Sequence, residues 1–292
     1  MVKKKSFGDY VFDVINSLIM IFLMLLTAYP MYYVVIASIT EPAEVMATTG
    51  FILFPETVDF TSYKLLLEYP MMFISYKNTI LYVLVGTGIS LVLTTLGGYA
   101  LSRNEVPGVK VIMVLITFTM FFSGGLIPKY LTIQNLNLID TMWAVLLPGA
   151  LSTMNMIIMK TSFMSIPKSL EESARIDGAG DFRILFSIMI PLSGAILAVM
   201  TLFYAVGIWN DYFNPMIYLK TREKYPLQLL LREILVSNST DELTVGMGDD
   251  KSLISQVIRY STIVVSTVPI LCVYPFLQKY FTKGVMIGAV KG

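Results

Sequence analysis

Histidine is missing altogether from this chain of 292 residues, and cysteine occurs once, as Cys272. Without imidazole, the commonest metal ligand and neutral-pH general base is gone. With one thiol, neither a disulfide nor a cysteine-based metal site can form within the chain. Charge is scarce too. Asp, Glu, Lys and Arg make up 14% of residues, against about 25% in an ordinary soluble domain. The net charge of +1 offers no basic excess for nucleic acid. No G-x-x-x-x-G-K-[ST] phosphate loop occurs, no repeat of about 20–50 residues is visible, and no clustered set of catalytic side chains stands out.

What is abundant is apolar sequence, 55% of the chain. Six runs contain no Asp, Glu, Lys or Arg: 14–40, 78–102, 111–128, 141–159, 184–210 and 260–278. A bilayer span needs about 20 mostly apolar residues. One charge at mid-helix costs about 2.5–3.5 kcal/mol, whereas each Leu or Ile contributes about 0.3–0.6 kcal/mol. The pattern predicts an all-α integral membrane protein forming one transmembrane domain over 1–292. Its spans fall at about 14–39, 78–102, 111–128, 141–159, 184–208 and 260–278. Lys3-Lys4-Lys5 resembles the start of a signal peptide, but the apolar run behind it is about twice a typical h-region of roughly 7–15 residues, so it is read as a retained helix. The predicted inner segments hold 12 of the 21 Lys and Arg in 59 residues, the outer ones 9 in 98. The positive-inside bias therefore puts both termini in the cytoplasm.

That orientation leaves two long extracytoplasmic loops, 41–77 and 211–259. The second holds a helix-compatible piece, Leu227 to Val236, before a turn-rich segment with Ser237-Asn238-Ser239-Thr240 and Gly246-Met247-Gly248-Asp249-Asp250. Small residues recur in step at Gly86, Ser90, Thr94 and Gly97-Gly98, and again at Gly194, Ala195 and Ala198. Such faces let helix backbones approach closely. Pro30, Pro148, Pro191, Pro269 and Pro275 mark kinks or helix ends.

The best-patterned polar stretch is the inner loop 160–183 and its entry into the next span. Ser165 can cap a helix that has Pro167 in its first turn. That helix would end near Ile176 and turn at Gly178. Glu171 and Arg175 stand one turn apart in the favourable order, and Asp181 can cap the following helix. Asp177 in the last turn opposes the helix dipole, which hints at an external donor or cation. By pattern alone, the segment serves equally as a solvated hairpin between two spans or as a docking surface.

Glu172, Ala174, Gly178, Ile188 and Pro191 match, in identity and spacing, the Glu-Ala-Ala loop of importer-type ABC permeases. Ser173 and Ile190 depart from it conservatively. Asp177-Gly178-Ala179 resembles the carbohydrate, maltose-type branch, as do Trp209-Asn210-Asp211-Tyr212-Phe213 with Pro215 and the C-terminal Lys283-Gly284 and Gly288-Ala289-Val290-Lys291-Gly292. Phe121-Phe122-Ser123-Gly124-Gly125-Leu126-Ile127-Pro128 is similar to the LplC-like oligosaccharide and polysaccharide permeases. The resemblance covers nearly the whole chain and implies the type I ABC importer permease fold, six transmembrane helices with a cytoplasmic coupling helix.

It also implies a transport subunit rather than an enzyme, embedded in the lipid of a bacterial or archaeal plasma membrane. The partners would be a sister permease in a heterodimer, two ATPase subunits and an extracytoplasmic solute-binding protein. ATP and Mg²⁺ would sit in the ATPase chains, with no cofactor here. Glu172, Ser173, Ala174, Asp177, Gly178, Ile188 and Pro191 would carry coupling, and Lys291 and Gly292 match a tail that reaches the ATPase pair. The cargo implied is a sugar, an oligosaccharide. The rivals are an ABC permease for another solute and an ATP-independent carrier or channel; ion-coupled carriers usually keep ionisable groups at mid-membrane, and these runs have none. A neutral, hydroxyl-rich solute favours aromatics, amides and hydroxyls, which makes Thr94, Asn155, Tyr204, Trp209 and Asn210 the candidate path residues. Each also has a structural use, as interface anchor or interhelical glue.

Overall fold

A computed structural model of the chain describes residues 6–48, 50–103, 106–236 and 251–289. Lys3-Lys4-Lys5, the turn-rich segment 237–250 and the terminal Val290, Lys291 and Gly292 lie outside the described residues. Among the described residues the fold is helical, with a single isolated bridge between Thr40 and Val58. In chain order the helices are α1 (Phe7–Ser38), α2 (Pro42–Ala47), α3 (Thr61–Glu68), α4 (Pro70–Ser102), α5 (Val109–Phe121) and α6 (Leu126–Asn135). Then come α7 (Met142–Leu146), α8 (Thr153–Met164), α9 (Lys168–Ile176), α10 (Asp181–Leu192) and α11 (Gly194–Trp209). The last are α12 (Phe213–Tyr218), α13 (Leu227–Val236) and α14 (Lys251–Ala289).

Three of the predicted spans lie within unbroken helices: α1, α4 and, within α14, Ile254–Cys272. The other three are broken. Run 111–128 is interrupted at Phe122–Gly125, where α5 stops and α6 leaves at 111°. Phe122 is extended and Gly125 has φ +84°, a value that glycine adopts without a Cβ clash. Run 141–159 bends by 51° between Met142–Gly149 and Thr153–Met164. Pro148 lies in a 3₁₀ turn there, and Ser152 caps α8 by accepting from the Asn155 backbone N–H at 3.4 Å. Run 184–210 bends by 85° at Ser193. Pro191, lacking an N–H to continue the ladder, follows a π-turn over Leu185–Met189. Among the described residues, three helices are long and apolar enough to cross a membrane, or up to six spans if each bent pair counts as one.

The residues fall into two compact units. In the first (1–69 with 233–268), α1 leaves its apolar length exposed, and only its end is buried, at Ala37 and Ser38. There the Ser38 and Tyr63 hydroxyls bond at 2.7 Å, and those of Ser62 and Ser261 at 2.6 Å. Glu44 accepts from the backbone N–H groups of Glu56 (3.0 Å) and Thr57 (3.2 Å), and these bonds, led by that of Glu56, hold its carboxyl below the usual value.

In the second unit (70–232 with 269–292), α4 packs against α8 and α11, and its small residues make the approach possible. A Cβ at Gly98 would lie 2.9 Å from Met159 Cγ and 3.2 Å from the Lys160 backbone nitrogen; one at Gly86 would lie 2.7 Å from Ile208 Cδ1. Gly194 faces open space instead, with nothing within 4 Å of a Cβ placed on it, so it makes no close crossing here. Tyr99, Met159, Phe163, Ile184, Leu185, Met189, Val199 and Met200 form the buried cluster below the crossing. At the other end, the loop before α13 is stapled to α4. Asn78 donates to the carbonyls of Glu223 (2.7 Å) and Tyr225 (3.1 Å), and Thr79 Oγ1 accepts from the Leu227 N–H at 2.7 Å.

Candidate functional site: a two-faced helix and a cavity

Helix α9 ends in a Schellman arrangement, the usual way of satisfying the last carbonyls of a helix. Gly178 N–H donates to the Arg175 carbonyl at 3.0 Å, Ala179 N–H to that of Ala174 at 2.9 Å, and Gly178 takes φ +78°. The start differs from the sequence expectation. Pro167 occupies the N-cap position and no side chain caps the helix. Ser165 instead closes the end of α8, donating to the Ser162 carbonyl at 2.7 Å, because the proline ring keeps the intervening residue out of helical conformation. Asp181 likewise is the first residue of α10, with Gly180 at the cap; its carboxylate turns back to Arg175 at 2.8 Å.

The two faces of α9 differ in chemistry. Inward, Ala174, with the neighbouring Ile166 and Ala179, packs on the buried cluster. Glu171 pairs with Arg103, and their side chains are 12% and 16% exposed. The Arg103 guanidinium lies 4.2 Å over the ring of Tyr99, itself edge-on to Phe163. Glu171 also accepts from Arg175 at 3.2 Å, the expected one-turn pair. Outward stand Glu172, Ser173, Ile176, Asp177 and Gly178, all exposed, with Ile176 at 85% and Phe182 just beyond at 72%. Ile188 is half-buried and Pro191 exposed. The loop residues named from sequence thus divide: Ala174 faces its own chain, whereas Glu172, Ser173, Asp177 and Gly178 face out. Arg103 was missed. Its only sequence signal is that it is the first charge after the run 78–102.

Further along the second unit, a cavity of about 870 Å³ is lined by the polar residues Ser90, Ser152, Asn155, Tyr204, Asp211 and Asn214 between apolar walls including Val145 and Phe203. Tyr204 and the buried Thr94 share a hydroxyl hydrogen bond of 2.6 Å, and the Tyr204 oxygen accepts from the Ser152 N–H at 3.2 Å. Of the five candidate path residues, Asn155 and Tyr204 line the cavity and Thr94 fixes Tyr204 from behind. Trp209 and Asn210 are not among the lining residues. Asn210 ends α11, its amide donating back to the Val206 carbonyl at 2.9 Å. Ser90, Ser152, Asp211 and Asn214 were missed as lining residues; Asp211 accepts from the Asn214 backbone (3.1 Å) and side-chain amide (2.8 Å).

Long apolar helices, three bent pairs and a cavity with a few polar groups in apolar walls fit an integral membrane transport subunit. No protein-family profile matches the chain, but individual relatives do. It is 40% identical over 285 residues to the protein LplC of Bacillus subtilis, covering 97% of this chain and 95% of the relative. It is 39% identical over 282 residues to YtcP of the same organism, a polygalacturonan/rhamnogalacturonan transport system permease, covering 96% and 98%. Among solved structures, a chain from a bacterial ABC transporter that imports the acidic polysaccharide alginate superposes with a TM-score of 0.87 at 35% identity, covering 95% of this chain and 99% of that one. The chain belongs to the permease subunits of carbohydrate ABC importers. It is a non-enzymatic subunit of a binding-protein-dependent sugar importer in the bacterial cell membrane. The family implies ATPase and binding-protein partners.

Proposed function

We propose that α9 is the docking element by which partner ATPases drive this permease, and that the cavity beside Tyr204 is this chain's share of an oligosaccharide path. The observation that carries the reading is the division of α9. Its outer face exposes Glu172, Ser173, Ile176 and Asp177 beside the turn at Gly178, while its inner face is fixed by ion pairs and apolar packing. An isoleucine 85% exposed on a short polar helix at the cytoplasmic side is a surface awaiting a partner. Ala174 then acts by seating the helix, Gly178 by turning the chain, and Ile188 and Pro191 by setting the bend into the membrane.

The chain is one transmembrane domain with both termini in the cytoplasm, a reading supported by the excess of Lys and Arg in the inner segments. It pairs with a sister permease to form a heterodimer, and ATP with Mg²⁺ binds in two ATPase chains. Support for a saccharide of more than one unit comes from the polymer named for YtcP and from a lining of amide, hydroxyl and aromatic groups, which suit a hydroxyl-rich solute. The test is reconstitution in liposomes. The chain alone should carry no sugar; with its partners, transport should require ATP. Glu172→Lys should insert normally but lose substrate-stimulated ATP hydrolysis. Sugar flux through the chain alone would overturn the proposal.

A further inference from the structure

The geometry points to Glu171 and Arg103 as a clamp that makes the docking helix and the cavity-lining helix α4 move together. This rests on the docking role of α9 proposed above and adds two residues that act behind the docking face. Glu171 is adjacent in sequence to the exposed Glu172 but turns the other way. Its carboxylate pairs with Arg103, just beyond the last residue of α4, with both side chains largely withdrawn from solvent. Arg103 in turn lies over Tyr99, one turn earlier in α4. A guanidinium held between a carboxylate and an aromatic face is fixed both by charge and by its planar geometry.

The same carboxylate accepts from Arg175, which also reaches Asp181 at the start of α10. One network therefore joins α9 to the end of α4 and to the start of α10. Its mechanical consequence follows from α4 itself. This helix is unbroken from Pro70 to Ser102, and Thr94, about 13 Å up its axis at 1.5 Å per residue, bonds the Tyr204 that lines the cavity. Ser90, one turn further, lines the cavity directly. Coupling between distant sites requires a physical element whose arrangement both sites bias. Here that element is an unbroken helix, clamped at its end to the docking helix and bonded about 13 Å back along its axis to the cavity wall.

The roles of neighbouring acids thus separate. Glu172 faces the partner, whereas Glu171 transmits. The partly buried clamp is sensitive to loss of either member, because the remaining charge is left uncompensated. Arg103→Lys retains the charge without the planar fork and should fall between wild type and a neutral variant.

The complete importer in liposomes provides the test, with three readouts for each variant: ATPase subunits retained on purification, ATP hydrolysed, and sugar carried per ATP. For Glu171→Gln and Arg103→Met, subunit retention and basal hydrolysis should stay as in wild type. Sugar per ATP should fall at least about fivefold, the lower end of typical allosteric coupling, and Arg103→Lys should recover part of it. Glu172→Lys serves as the reference for docking. If it loses stimulated hydrolysis while both clamp variants carry wild-type sugar per ATP, the clamp is refuted and docking stands. If Glu172→Lys also behaves as wild type, the docking reading falls and the clamp with it. Loss of ATPase subunits from Glu171→Gln would overturn the clamp as well, since Glu171 would then belong to the docking face.

Discussion

Substitution at Gly178 separates the geometry of α9, the proposed docking helix, from its contacts. The residue has φ +78°, and a Cβ placed on it would meet no atom within 4 Å. Alanine therefore introduces no clash with the rest of the chain; its cost is the backbone penalty of a left-handed L-residue, about 1–2 kcal/mol. A penalty of that size shifts an equilibrium about five- to thirtyfold, here between the capped helix end and a frayed one. Asparagine, which tolerates this region, should cost less, and a β-branched valine more. Proline removes the N–H that donates to the Arg175 carbonyl at 3.0 Å and locks φ near −65°, so both closing bonds of the turn fail. In the reconstituted importer, substrate-stimulated ATP hydrolysis should follow the order Gly, Asn, Ala, Val, Pro, ending at no stimulation, with membrane insertion equal throughout. Normal stimulation in Gly178→Pro would refute the claim that this turn matters to coupling.

Two further substitutions test the second unit. Gly98→Leu drives a side chain into Met159 and the Lys160 backbone, 2.9 and 3.2 Å from the Cβ position. It should destabilise the detergent-solubilised protein by roughly 1–3 kcal/mol, the usual overpacking cost, whereas Gly88→Leu, which meets nothing within 4 Å, should leave the midpoint of thermal unfolding in place; equal midpoints would refute the close crossing. At Asp140, burial pushes the carboxyl upward, but bonds from Lys224 and from Thr221 and Lys220 outweigh it and hold the group well below its ordinary value. A lowered carboxyl stabilises fully above the unfolded value, about 3.9, and the contribution is lost as pH falls from there through the lowered folded value. Exchange of the Lys220 and Thr221 amides, which donate to Asp140 at 2.9 and 3.0 Å, should stay protected at pH 5. Asp140→Asn should accelerate it roughly tenfold at neutral pH; unchanged exchange would show that the staple contributes nothing.

Some of this was readable from local pattern. The end of α9 was, because a helix needs a left-handed residue beyond its last turn and Gly178 is the residue that supplies one cheaply; the Glu171–Arg175 pair was, because helical spacing alone makes them neighbours. Helix α13 was legible as an apolar piece ending at Val236. Hydropathy was less informative about continuity. It registers Phe122 to Gly125 as part of one apolar run, although a left-handed glycine breaks the helix there, and it passes over the bends at Pro148 and Ser193 because bends do not change composition. Ser165 failed as a cap for a similar reason: its residue type suits either helix, and Pro167 decided which one it ends.

Membrane residence, the number of apolar runs and the family loop followed from the sequence by itself, since each depends on residue types within a short window: the cost of charge in lipid, the length of a span, the turn at a glycine. Only the tertiary structure decided that Glu171 turns inward to Arg103 while Glu172 turns out, that Thr94 holds Tyr204 at a cavity, and that Asp140 anchors a loop some eighty residues away. Those pairings depend on which helices cross and at what depth, and crossings are set by side-chain shape on opposing faces, such as Gly98 against Met159, which no window along one strand of sequence contains.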